Sequence, residues 1–93
     1  MIVEGKVKIY GSRLLEKEIQ NIKEHVLKTP HEERISCIEI YTTLGMQDER
    51  DVKEKIEGPY GHTLSPEEAK EILDHLQKIP HQNIISNIKI QLV

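Results

Sequence analysis

Residues 25–40, HVLKTPHEERISCIEI, and residues 75–90, HLQKIPHQNIISNIKI, align without a gap at an offset of fifty positions. Eight of the sixteen pairs are identical: His25/His75, Lys28/Lys78, Pro30/Pro80, His31/His81, Ile35/Ile85, Ser36/Ser86, Ile38/Ile88 and Ile40/Ile90. The same offset matches Tyr10-Gly11 with Tyr60-Gly61, Leu14 with Leu64, Glu18 with Glu68 and Ile22 with Ile72. A chain of 93 residues is too short for two independent cores, so a repeat of this kind predicts two similar halves sharing one. The halves fall at residues 1–43 and 51–93 of a single domain, with 44–50 as the connection.

Hydrophobic period gives each half the plan strand, helix, strand. Residues 3–9 alternate, with Val3, Val7 and Ile9 on one side and Glu4, Lys6 and Lys8 on the other, as a half-buried strand does. Gly11 interrupts the alternation and Ser12 is placed to cap a helix. Leu15, Ile19, Ile22 and Val26 then form a helical stripe that Pro30 stops. Alternation resumes over 35–43, with Ile38 and Ile40 opposed to Cys37, Glu39 and Tyr41.

In the second half Ser65-Pro66-Glu67-Glu68 reads as a capping box with proline at the first helical position. The stripe Ala69, Ile72, Leu73, Leu76 and Ile79 follows, and Ile84, Ile88, Ile90 and Leu92 mark a final strand. Residues 48–57 hold only Val52 and Ile56 as apolar anchors, a spacing that suits a helical turn or one face of a strand. Their counterpart at the N-terminus predicts a strand. The parity mismatch with Val7 and Ile9 then calls for a bulge or one-residue shift before Tyr60.

Strand, helix, strand written twice is βαββαβ. Right-handed crossovers and hairpin pairing predict a four-stranded antiparallel sheet ordered 4-1-3-2 with both helices on one face, the ferredoxin-like α+β arrangement. In that order strand one borders strand four. Tyr10, Gly11 and Ser12 are then expected near Lys78, Pro80 and His81, and Tyr60, Gly61 and His62 near Lys28, Pro30 and His31, while His31 and His81 stay apart.

The repeated Lys-x-Pro-His is the one motif-like element. As a small-anion site it would draw on Ser12, Lys28, His31, His62, Lys78 and His81. As a helix stop it needs only the proline, a lysine complementing the helix dipole and a histidine bonding a free carbonyl, and this is the simpler reading. His25 and His75 precede His31 and His81 by six residues, but two histidines without a Cys-x-x-Cys or His-Glu-x-x-His companion make a poor metal site. No metal and no cofactor is expected.

A nucleic-acid surface would use Lys6, Lys8, Tyr10, Tyr41, Lys53, Lys55 and Lys89 on the polar sheet face, against Glu4, Glu39 and Glu57. The net charge of −3 gives a polyanion no general attraction, and Phe is absent, so no aromatic RNA-binding segment exists. There is no glycine-rich phosphate loop or nucleophile elbow, which points away from an enzyme.

One cysteine, no apolar run of membrane length and no leader-like N-terminus suggest a cytoplasmic protein without membrane contact. A small core built from Ile and Leu predicts homodimerisation. The sequence therefore points to a small, homodimeric binding or interaction module, with nucleic-acid binding as the alternative and a regulatory anion or metal binder behind it.

Overall fold

A computed structural model describes residues 2, 4–11, 15–43, 47–60 and 64–93, Tyr60 by its backbone alone. A 3-10 turn at Glu4–Lys6 leads into β1 (Val7–Tyr10) and α1 (Glu16–Leu27). A second 3-10 turn, Glu32–Arg34, opens β2 (Ile35–Thr42). The second half runs through a short helix α2 (Val52–Lys55), β3 (Ile56–Tyr60), α3 (Pro66–Leu76), a 3-10 turn at Gln82–Ile84 and β4 (Ile85–Leu92). The protein is a small α+β structure with one open four-stranded sheet.

The sheet is ordered β1-β2-β4-β3 and is mixed. β1 is parallel to β2, β3 is parallel to β4, and β2 and β4 are antiparallel. The antiparallel order 4-1-3-2 is not found, and the ferredoxin-like assignment that rested on it is not supported. Each βαβ unit instead pairs its own two strands directly, and the units join through their longest strands. β2 and β4 have eight residues each, against four in β1 and five in β3. The long strands carry Ile35, Ile38, Ile40, Ile85, Ile88 and Ile90, all with no exposed surface. Placing them at the centre covers these side chains from both flanks as well as from above, where apolar burial contributes most.

Pairing between β2 and β4 sets Ile38 opposite Ile90, Glu39 opposite Lys89 and Ile40 opposite Ile88. Glu39 and Lys89 are themselves fifty positions apart. A local twofold axis therefore passes between them, normal to the sheet.

The local signals account for most element boundaries. Ser65 caps α3, its Oγ accepting the Glu68 N–H at 3.2 Å, with Pro66 in the first turn. α1 starts later than expected: Leu15 is its N-cap and the Glu18 carboxylate accepts the Leu15 N–H at 3.0 Å, while Ser12 lies outside the described residues. Of its expected stripe, Ile22 and Val26 are buried, but Leu15 and Ile19 are exposed.

Residues 48–57 are not one strand. Asp51 accepts the Lys53 N–H at 3.1 Å and starts α2, whose turn buries both Val52 and Lys55, and β3 begins only at Ile56. The N-terminal segment behaves alike, since residues 4–6 form a 3-10 turn and the strand begins at Val7. The expected shift before Tyr60 is present. Val7 aligns with Ile38 as Ile56 does with Ile88, an offset of 49 on the short strands, and the register slips between Glu57 and Tyr60 to restore fifty.

Candidate functional site

The sheet has two unlike faces. Val7, Ile9, Ile38, Ile40, Ile56, Ile88 and Ile90 pack into the core with Ile22, Val26, Ile72 and Leu76 of the helices. The alternate positions, Lys8, Tyr10, Cys37, Glu39, Tyr41, Asn87, Lys89, Gln91 and Glu57, line the other face, which no described element covers.

Tyr10 and Tyr41 are cross-strand partners in the parallel pair β1/β2, and their rings stack with centroids 5.0 Å apart at 20°. The Tyr41 O–H donates to Glu39 Oε2 at 2.6 Å, two residues back on the same face, and Lys89 Nζ sits 5.6 Å from the ring centroid. This charge-assisted bond pushes the Tyr41 phenol up to about 12, with desolvation and the Glu39 charge acting in the same direction. The Tyr41 phenol therefore keeps its proton through the neutral range and donates it to the Glu39 hydrogen bond. The stacked pair offers apolar contact beside β1, with Glu39 and Lys89 supplying charge of both signs next to it.

The lysines expected on this face divide. Lys8 and Lys89 belong to it. Lys6 turns to the start of β2, where its Nζ donates to the Ile35 carbonyl at 2.9 Å. Lys55 is buried, with 1% of its surface exposed, and donates to the carbonyls of Asp48 at 2.6 Å and Gln82 at 2.8 Å. Each is the residue immediately before its strand and ties that strand's start to the turn opening the neighbouring one. Lys53 lines a groove with Ile56, Gly58, Leu73 and Gln77 at the β3 edge. Sequence alternation could not separate these roles, because the turns before β1 and β3 break the strand period.

The two Lys-x-Pro-His turns are built alike. His31 and His81 adopt left-handed backbone conformations, with φ of 58° and 57°, a region histidine enters more readily than most residues. His31 reaches α3, with Nε2 3.0 Å from Glu71 and Nδ1 3.6 Å from Glu68. Glu68 is held below its ordinary value, first by its bonds to Ser65 and then by Arg34 and His31. His81 mirrors this on α1, where Asn21 Nδ2 donates to its Nε2 at 3.2 Å and Glu18 lies 4.0 Å from Nδ1. Each ring thus meets polar side chains of the opposite helix, which seats its turn against that helix. Lys28 and Lys78 are exposed. The expected grouping of Tyr10 with His81 does not arise, because β1 borders β2 and not β4. The mirrored grouping of Tyr60 with Lys28, Pro30 and His31 does not arise either, because β3 borders β4 and not β2, and Ser12, Gly61 and His62 lie outside the described residues.

The histidines that do meet are His25 and His75. Their rings stack at 4.2 Å and 7° on the helix side of the local twofold. Each Nε2–H donates to the other residue's backbone carbonyl, at 2.6 and 2.7 Å. Burial is the main cause holding His25 below its ordinary value, and the His75, Lys28 and Lys78 charges add to it. Sequence spacing associates each of these residues with the histidine six positions on. The signal that points to their meeting is that both sit in the last turn of equivalent helices that cross at the axis. Among the described residues, no group of three His, Cys, Asp or Glu side chains is arranged to hold a metal ion.

These features define a small α+β protein with a mixed, singly covered sheet and an aromatic pair on its bare face. No protein-family model, curated protein or solved structure matches the chain. Among the described residues, no helix is long and apolar enough to cross a membrane.

Proposed function

We propose that this chain is a non-catalytic protein-interaction module whose helix-free sheet face is the recognition surface. The observation that carries this reading is the Tyr10–Tyr41 stack on the β1/β2 side of a face with balanced charge. Tyrosine pairs surrounded by charge are characteristic anchors of protein interfaces, since they bury large rigid rings at small entropic cost. Lys8 and Lys89 are offset by Glu39 and Glu57, so the face favours a partner of mixed charge. Nucleic-acid binding, the alternative, loses ground because Lys6, Lys53 and Lys55 point elsewhere. We take the two halves as copies of one βαβ unit, with Lys-x-Pro-His serving the shared turn.

Affinity capture with the whole chain, compared with Tyr41→Asp and Lys89→Glu, tests the proposal. Proteins retained by the wild type should be lost from both variants but kept by Lys70→Glu on the exposed side of α3. A labelled single-stranded oligonucleotide should show no binding at low salt. Steeply salt-dependent oligonucleotide binding that Tyr41→Asp abolishes would replace this reading with the nucleic-acid one.

A further inference from the structure

The two halves superpose in plan yet differ sharply along their outer edges. Among the described residues, three of the four large hydrophobic ones with substantial exposure lie on the β1/α1 flank: Leu15 at 68%, Tyr10 at 42% and Ile19 at 36%. Behind the β1 edge, Val7, Ile9, Ile19 and Lys23 line a groove of about 200 Å³. On the opposite flank, the positions equivalent to Leu15 and Ile19 are Ser65 and Ala69. β3 also carries Pro59, which has no N–H to offer, inside a register shift. Proline and irregularity are ways of blunting a sheet edge. One edge of this sheet is thus closed to pairing, while the other is regular, proline-free and bordered by apolar side chains. Among the described residues nothing pairs with the outer side of β1.

We propose that the β1 edge seats a second copy of this chain, β1 pairing antiparallel with its counterpart about a twofold centred on Ile9, so that two sheets become one of eight strands. The strand is complementary to itself in that register. Ile9 meets Ile9 on the helix side, where Leu15 and Ile19 of both α1 helices close over it. Lys8 meets Tyr10 of the partner subunit twice on the bare face, a cation against an aromatic ring. The neighbouring register, centred on Lys8, sets two lysines against each other and is disfavoured for that reason. The small, Phe-free core gains the burial it lacks. The dimer shares Lys8 and Tyr10 with the face around Tyr41, and it would extend that face without covering it.

Sedimentation equilibrium of the full chain over a wide concentration range tests the proposal. The wild type should form a dimer. Leu15→Lys and Ile19→Lys, both at exposed helix positions, should weaken it at least tenfold with unchanged circular dichroism, whereas Ala69→Lys on the other flank should leave it intact. Amide exchange of the wild type gives a second reading that needs no variant: dilution should speed exchange at Val7–Tyr10 and not at Glu57. A monomer at every concentration overturns the proposal. So does a dimer indifferent to both lysine variants, or one dissolved by Gln91→Lys on the bare face two strands from β1, which would locate the contact there instead.

Discussion

Acidification should weaken this protein through the stacked pair His25 and His75. With ring centroids 4.2 Å apart, two imidazolium charges would repel by about 4 kcal/mol at an effective dielectric constant of about 20. The pair is half-buried, and solvent screening leaves about 1–2 kcal/mol of this. His25 is lowered from 6.5 in the folded state, by burial first and then by the charges of His75, Lys28 and Lys78, against the carbonyl of His75 that raises it. Below about pH 6.5 the unfolded chain therefore binds more protons than the native one, so stability is unaffected above that value and declines as the pH falls beneath it. Urea titrations of the wild type and His75→Gln from about pH 7.5 to about pH 5 measure the effect, the difference between the two cancelling what the rest of the chain contributes. Glutamine keeps a donor for the His25 carbonyl but cannot carry charge. The variant should gain about 1–2 kcal/mol on the wild type across the range. A difference constant with pH would falsify the reasoning.

Other substitutions probe the scaffold. Lys55→Ala, which leaves the carbonyls of Asp48 and Gln82 without their donor and opens a cavity, should cost about 2–5 kcal/mol in urea unfolding. Ile88→Ala, at a position with no exposed surface beside the central pairing, should cost about 2–5 kcal/mol by the same assay. At His31 both truncations lose the contact with Glu71, but Gly accepts a φ of 58° and Ala does not, so His31→Gly should be the more stable of the two by about 1 kcal/mol in thermal unfolding. Asp48 is lowered from 3.8 to about 2, chiefly by its bonds to Arg50. Its contribution is then present above pH 3.8 and lost as the pH falls through about 2, and Asp48→Asn should remove that acid-side decline in a pH-dependent melting series.

Much of the fold is legible in the residues themselves. Ser65, Pro66 and Glu68 define the start of α3 by local chemistry alone, and the alternation of isoleucines defines β2 and β4 and the face each buries. The slip ahead of Tyr60 is equally readable, since a parity mismatch between repeats has few remedies. The strand order is misread from hairpin pairing. The expected 4-1-3-2 puts the first and third strands at the centre, whereas Pro59 on β3 and the long apolar runs at 35–42 and 85–92 are signals for the opposite placement, which the hairpin reading passes over. Lys6 and Lys55 are the least legible, because a short turn before each strand rotates them away from the face that alternation assigns.

The sequence by itself determined two equivalent βαβ halves, the caps and stops of their helices, and the apolar face of each long strand. These follow from contacts within a few residues, where side-chain type and backbone preference act directly. The tertiary structure alone decided which strands are neighbours, and through that the meeting of His25 with His75 and of Tyr10 with Tyr41. Strand pairing joins backbone groups that every residue carries, so its partners are chosen by the burial achieved across the whole sheet, and no single segment records that choice.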